Sequence, residues 1–199
     1  MLGGRPTTYP SSVVASRRLG TETSETRTAL LDATEQLMLD SGYAAVSSRR
    51  VAAVAGVRPA LVHYYFRTMD DLFLALVRRG AEQNLKRQAR ALASDRPLRA
   101  LWELSSERAG ATLMIELTAL ANHRKAIRVE LARYAEEFRR LQREALAPLL
   151  RDSGLDADEL PIDALLVALT SVSRVLVMEE ALGATSGHAA MREVVERLL

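Results

Sequence analysis

The sequence predicts an all-α fold. Apolar residues recur at spacings of three and four along most of the chain, no stretch alternates with a period of two, and glycines, prolines or turn clusters punctuate the pattern. Nearly half of the residues are apolar (48%), enough for a sizeable core in a chain of 199 residues.

The elements follow in order. Residues 1–23, rich in Ser, Thr, Pro and Gly with Arg5, Arg17 and Arg18 among them, read as a disordered basic arm. Ser24 caps a first helix carrying Leu30, Ala33, Leu37 and Met38, and Gly42 stops it. A short helix fits Ser48–Ala55 and ends at Gly56, and another fits Pro59–Tyr65, with proline at the first helical position, where no N–H is needed. A longer helix starts near Asp70 and carries Leu72, Phe73, Leu76, Val77 and Leu85. Further helices are expected at Pro97–Glu107, Ala111–His123, Ala126–Asp152, Ile162–Leu182 and His188–Leu199. Their separators are Pro97, Gly110, the Asp152–Ser153–Gly154 turn, Pro161, Gly183 and Gly187. The expected organisation is an arm (1–23), a small three-helix unit (24–68) and a larger helical bundle (69–199).

Several function classes are set aside by composition. Without cysteine there is no disulfide framework, thiolate metal site or cysteine nucleophile. The richest apolar stretch, Ile162–Met178, is interrupted by Asp163, Thr170, Ser171, Ser173 and Arg174, so it does not read as a membrane span. No apolar signal segment opens the chain, and a soluble, cytoplasmic protein is expected. His63, His123 and His188 are far apart, and no metal-binding helix motif, phosphate loop or nucleophile elbow occurs. The pairs Glu136–Glu137 and Glu179–Glu180 occupy adjacent helical positions, point apart and read as solvated faces. The expectation is a protein without catalytic residues, metal or cofactor.

Charge is more informative in its placement than in its total. Between Ser41 and Thr68 stand Arg49, Arg50, Arg58 and Arg67 and no acidic residue, whereas residues 81–199 carry 17 basic against 18 acidic side chains. An uncompensated patch of this kind favours a phosphate backbone. It coincides with the run SSRRVAAVAGVRPALVHYYF, residues 47–66, which meets each requirement of a helix-turn-helix. Ala52 is small where a second helix crosses close by, and Gly56 accepts a positive φ at the turn. Val51, Ala55, Val57 and Val62 are apolar where both helices must be pinned to the first.

From Ser24 to Val77 the chain resembles the DNA-binding domain of the TetR (tetracycline repressor) family. The resemblance rests on the Ser47–Ser48 helix start, the Ala-Gly-Val turn at 55–57, the His63-Tyr64-Tyr65-Phe66 ending and Asp70-Asp71-Leu72. It implies that Ser47 and Ser48 bond backbone phosphate and that Arg49 reaches bases or phosphate. It places Arg58, Pro59 and Ala60 at the major-groove end of the recognition helix. It further implies that His63 and Tyr64 contact bases, sugars or phosphates, with Tyr65 at the same end of the helix. Three departures stand out: Met69 replaces a phosphate-holding lysine, Leu61 a hydroxyl residue, and Arg58 a capping serine. Arg50, Arg67 or the arm would offset the missing phosphate bonds, the arm being either a segment that reaches along DNA or a plain tail.

The bundle carries two further expectations. The segment from Ile162 is apolar on one face (Ile162, Leu165, Leu166, Leu169, Val172, Leu176) and also on another (Ala164, Val167, Ala168, Val175, Met178). A helix apolar nearly all round is buried on both sides, and a second copy of the chain can supply one of them. The expected dimer interface comprises Leu165, Leu169, Val172, Leu176, Val194, Val195 and Leu198, the last helix packing alongside with Met191 and Leu199. A four-helix dimer interface is also what the resemblance implies, and a two-fold dimer reads a pseudo-palindromic double-stranded operator. Candidate effector-binding residues are Trp102, Met114, Leu117, Leu120, His123, Tyr134, Phe138 and Leu141, a mainly apolar set with a few polar handles that equally fits an ordinary core. The function this predicts is a transcriptional regulator, a repressor released by a small hydrophobic effector. The alternative is a helical dimeric module that binds proteins or small molecules without reading DNA.

Overall fold

A computed structural model describes residues 24–152 and 161–199, together with the side chains of all of these but residues 150–152. The expected arm, residues 153 and 154 of the expected turn and the acidic residues that follow them lie outside the described residues.

Among the described residues the chain forms helices α1 (Glu25–Ser41), α2 (Ser48–Val54), α3 (Pro59–Tyr65), α4 (Met69–Leu92), α5 (Pro97–Ser105), α6 (Arg108–Ala121), α7 (Lys125–Asp152), α8 (Ile162–Ala181) and α9 (His188–Leu198). The all-α expectation holds, and helix limits agree to within a few residues. The largest difference lies at the start of α6, where helix begins three residues before the expected Ala111. A single 3-10 turn, Tyr43–Ala45, lies in the α1–α2 connection and has no apolar period by which to announce itself.

Local chemistry sets the ends that matter. Gly42 ends α1 with φ +76° and ψ 164°, its N–H donating to the Met38 carbonyl. Thr68 and Asp71 form a reciprocal capping box at α4: the Asp71 N–H donates to Thr68 Oγ1 and the Thr68 N–H to Asp71 Oδ2. That box starts α4 at Met69, one residue before the expected start.

One apolar cluster joins α1, α2, α3 and α4 to α6 and α7. Leu30, Val51, Leu72 and Ile127 are fully buried in it, with Val62, Leu76, Leu117, Leu120 and Tyr134 beside them. The small N-terminal unit is therefore packed continuously onto the bundle, with α4 shared between the two. A second cluster (Leu101, Leu146, Leu166) ties α5 and α7 to α8. A third (Trp102, Leu176, Val195) ties α5 to α8 and α9. Below, α1–α3 and the first turns of α4 are called the head, and the remainder the body.

Ion pairs brace these layers. Arg79 of α4 reaches both Asp32 and Glu35 of α1. Glu130 of α7 accepts from Arg133 at 3.2 Å and from Arg78 of α4 at 2.9 Å, and these bonds, Arg133's first, hold its carboxyl below the ordinary carboxylate range. The pair Glu179–Glu180 corrects a sequence expectation. Neither is a free solvated face: Glu179 bonds His188 at 2.8 Å and Glu180 pairs with Arg192, fastening α9 onto α8.

Candidate nucleic-acid interface

The helix-turn-helix is assembled by short-range bonds. Gly56 takes φ +66°, and the Val57 N–H donates back to the Ala52 carbonyl at 2.9 Å, folding α3 across α2. Ala52 is 1% exposed at this crossing, so a larger side chain there would force the helices apart. Val51 and Val62 are buried against α1, and Ala55 and Val57 pack on the same cluster, as the sequence pattern requires.

Burying these residues turns the opposite side outward. Ser47, Arg49, Arg58, Pro59, Ala60, His63, Tyr64 and Arg67 are exposed, and Ser48 is half-buried. Among the described residues, Arg49, Arg58 and Arg67 take part in no ion pair, and no carboxylate stands in the segment that bears them. The acids of the head point elsewhere: Asp32 and Glu35 to Arg79, Asp70 to Arg124, and Asp71 into the α4 cap. Asp40 accepts from Gln36 within α1, and every acid of the head lies outside residues 41–68, which leaves that segment positive.

Three expected DNA-contacting residues have structural partners of their own. The Arg50 guanidinium donates to the Ala45 carbonyl at 3.2 Å and to Ser41 Oγ at 3.4 Å, bracing the loop before α2. Tyr65 is half-buried with its hydroxyl 2.7 Å from Ser24 Oγ, tying the end of α3 to the start of α1. Ser47 Oγ accepts the Arg50 N–H at 3.3 Å, which leaves its own proton free to donate. Tyr64 stands out at 44% exposure, its ring edge-on to Tyr65 at 5.1 Å. Of the departures, Arg58 caps α3 without a side-chain bond, Leu61 is half-buried, and Met69 packs against the core.

The expected effector residues are not gathered in one place. Leu117, Leu120, Tyr134 and Phe138 belong to the cluster under the head, while Trp102 packs with Leu176 and Val195 at the far side. Met114 and Leu141 are half-buried, and His123 is exposed at the α6–α7 corner, stacked on Tyr43. Apolar spacing marks burial without saying against what, so separate parts of the core read alike in the sequence.

The expected interface residues lie at different depths within one chain. Leu176 and Val195 are 5% and 7% exposed and are packed under Trp102 within one chain; Leu169 and Val172 support the same cluster. Leu165 is half-buried. The outward face of α8 is the other one, with Val167, Val175, Met178 and Leu182 exposed, and α9 adds Met191, Val194 and Leu198. Of the expected set, Leu176 and Val195 are buried within one chain, Leu165, Leu169 and Val172 are half-buried, and Val194 and Leu198 are exposed.

An acid-free, arginine-bearing helix-turn-helix on a helical body is an arrangement suited to a phosphate backbone. Residues 30–76 match the family profile TetR_N, described as bacterial regulatory proteins, tetR family. The chain is 42% identical over 52 residues to the HTH-type transcriptional regulator BetI of Rhizobium meliloti (strain 1021), an alignment spanning 26% of this chain and 26% of that protein. Two solved structures share the fold. A putative transcriptional regulator from Saccharomonospora viridis in complex with choline superposes with a TM-score of 0.72 at 21% identity, over 87% of this chain and 94% of that one. A putative TetR-family regulator from Rhodococcus sp. gives 0.68 at 21% identity, over 87% and 96%. The match to the tetR family of bacterial regulatory proteins covers residues 30–76, and the likeness of the remaining helices to the solved structures is one of fold.

Among the described residues no helix is long and apolar enough to cross a membrane.

Proposed function

We propose that the protein is a ligand-responsive repressor that binds a pseudo-palindromic operator as a homodimer. The observation that carries this reading is the exposed, carboxylate-free face of α2 and α3 bearing Arg49, Arg58, His63, Tyr64 and Arg67. Arginines without acidic partners lose little by desolvation against phosphate and gain charge-assisted bonds there. In this reading Pro59 and Ala60 let the start of α3 approach the major groove closely. Ser47 and Ser48 hold phosphate, Arg50 and Tyr65 position the helices, and Arg67 stands in for the lysine that Met69 replaces.

The dimer is supported by the unpartnered apolar face of α8 and α9. Val175, Met178, Leu182 and Leu198 are 44%, 46%, 79% and 77% exposed, a density of large apolar side chains that calls for cover. A second copy related by a two-fold axis covers it with the same face and sets the two heads on one side of the duplex. An effector bound in the body then biases the spacing of the heads and lowers operator affinity. Half-buried Met114, Phe138 and Leu141 supply apolar surface for it, and Gln142, which donates to the buried Gln88 at 2.7 Å, supplies a polar handle. The neighbour's choline is a poor guide to that effector. Here the Arg133 guanidinium already covers the Tyr134 ring at 3.9 Å and Trp102 is buried between helices, so neither offers an open face to a quaternary ammonium.

Selection from a library of random duplexes tests the reading. Enrichment of a two-fold related sequence, with half-sites about one helical turn or a multiple of it apart, is the expected result. Recovery of unenriched sequences would show a protein that does not read DNA.

A further inference from the structure

Between head and body lies a cleft of about 390 Å³, lined in part by Leu120 and His123 of the expected effector set but apart from the Met114, Phe138 and Leu141 surface proposed above for the effector. Tyr43, Met69 and Phe73 form its head wall, and Leu120, His123 and Arg124 its body wall. We propose that this cleft is a second ligand site, distinct from any in the body, and that it takes an aromatic carboxylate of one or two rings.

The volume falls in the range of small-molecule sites, roughly 300–1,000 Å³. Met69, Phe73 and Leu120 give it apolar surface beside a comparable share of polar lining, and Tyr43, Phe73 and His123 offer flat faces to a guest. Tyr43 and His123 lie nearly parallel, 29° apart, at a centroid separation of 6.4 Å. That spacing is at the open end of the range for aromatic pairs, about 4.5–7 Å, so a ring can close onto either face.

The charge of the guest follows from Arg124. Its guanidinium lies over the Phe73 ring at 5.5 Å and pairs with Asp70, which occupies part of a fork of five N–H donors. His123 lines the same wall of the cleft. Lys125 and Arg128 follow on the same corner, although Arg128 spends its donors on the Ala121 and Asn122 carbonyls. The nearby carboxylates are both engaged, Asp70 by Arg124 and Glu116 by the Tyr43 N–H at 2.7 Å. Glu116 keeps its charge, since an amide N–H is neutral, but Arg124, Lys125 and Arg128 outnumber Asp70 and Glu116 at this corner, so the balance of charge favours a carboxylate guest over a cation.

The position gives the site a consequence. Its walls belong to different parts of the molecule, so a guest touching both binds one head orientation more tightly than others. Guest affinity and operator affinity are then linked, each altering the other by the same factor.

The test is calorimetric titration of the full chain, without DNA, using 1-naphthoate as the probe and 1-naphthalenemethanol as its neutral counterpart. The expected result is one naphthoate per chain, bound about tenfold or more tighter than the alcohol, with a similar loss in Arg124→Gln. Arg124 and Asp70 are a partly exposed pair, so this variant keeps its fold. Ala44→Trp, at an exposed position lining the cleft, fills the space and abolishes binding. No binding, equal binding of the alcohol, or binding that survives either substitution would overturn the proposal. Because no DNA is present, failure here leaves the operator reading standing, and failure of the operator selection leaves this site standing.

Discussion

Replacing Gly42 with alanine probes the joint between head and body. Gly42 sits at φ +76° and ψ 164°, a region that side-chain-bearing residues enter at a cost of roughly 1–3 kcal/mol. Alanine also restricts the unfolded chain, which offsets roughly 0.4–1 kcal/mol of that cost. The added Cβ would lie 3.3 Å from Glu116 Oε2, close enough to move that carboxylate by a few tenths of an ångström. A carboxylate at the end of a flexible side chain yields easily, so the backbone dominates. The net expectation is a destabilisation of roughly 1–2 kcal/mol, or roughly 2–8 °C in melting temperature for a chain of this size. The assay is thermal and urea unfolding followed by circular dichroism at one fixed protein concentration, since the proposed dimer would add to apparent stability. The cause is separated by repeating Gly42→Ala in a Glu116→Ala background. Backbone strain survives there within about 0.5 kcal/mol, although Glu116→Ala itself loses the bond to the Tyr43 N–H. A negligible effect of Gly42→Ala, or a cost that vanishes without Glu116, would refute the reasoning.

Other perturbations address the remaining joints. Thr68→Ala removes one half of the α4 capping box and should destabilise by about 0.5–2 kcal/mol, read from the urea midpoint. Glu130→Gln should flatten the acid limb of the stability curve. Because the folded carboxyl titrates below its unfolded value, its contribution is complete above the ordinary carboxylate range and is lost as pH falls through the folded value. Melting temperatures of wild type and variant should differ at neutral pH and converge in acid; a constant gap would contradict the assignment. Val175→Asp places a charge in the exposed apolar face of α8 and should give a folded monomer by sedimentation, whereas an unchanged mass would move the interface elsewhere.

The head was readable from sequence because its determinants are local. Ala52, Gly56 and the valines around them act within a few residues of each other, so spacing alone fixes the crossing of α2 and α3. The body was readable as helices but less so as a surface. Helix α8 is apolar on both sides, and nothing in its own period says which side meets Trp102; that choice is made by α5 and α9, far away in the chain. The joint between head and body was invisible for the same reason. Glu116 meets the Tyr43 N–H across 73 positions, and Arg124 meets Asp70 across 54. Arg50 and Tyr65 show a third limit: the sequence offers both as DNA contacts but does not show the bonds they make to Ser41, Ala45 and Ser24 within the head.

The central claim is that the acid-free face of α2 and α3 reads DNA, and salt dependence tests it most directly. Fluorescence anisotropy with the selected operator, or DNA from upstream of the protein's own gene, would be measured over a series of salt concentrations against scrambled competitor. The wild type should bind in spite of the competitor and weaken steeply with salt, and Arg49→Ala or Arg58→Ala should each lower the slope by about one for every phosphate that the arginine held. Tyr64→Ala should weaken operator binding with little change in slope. Equal affinity for operator and scrambled DNA, or a slope that these arginine substitutions leave unchanged, would contradict the account.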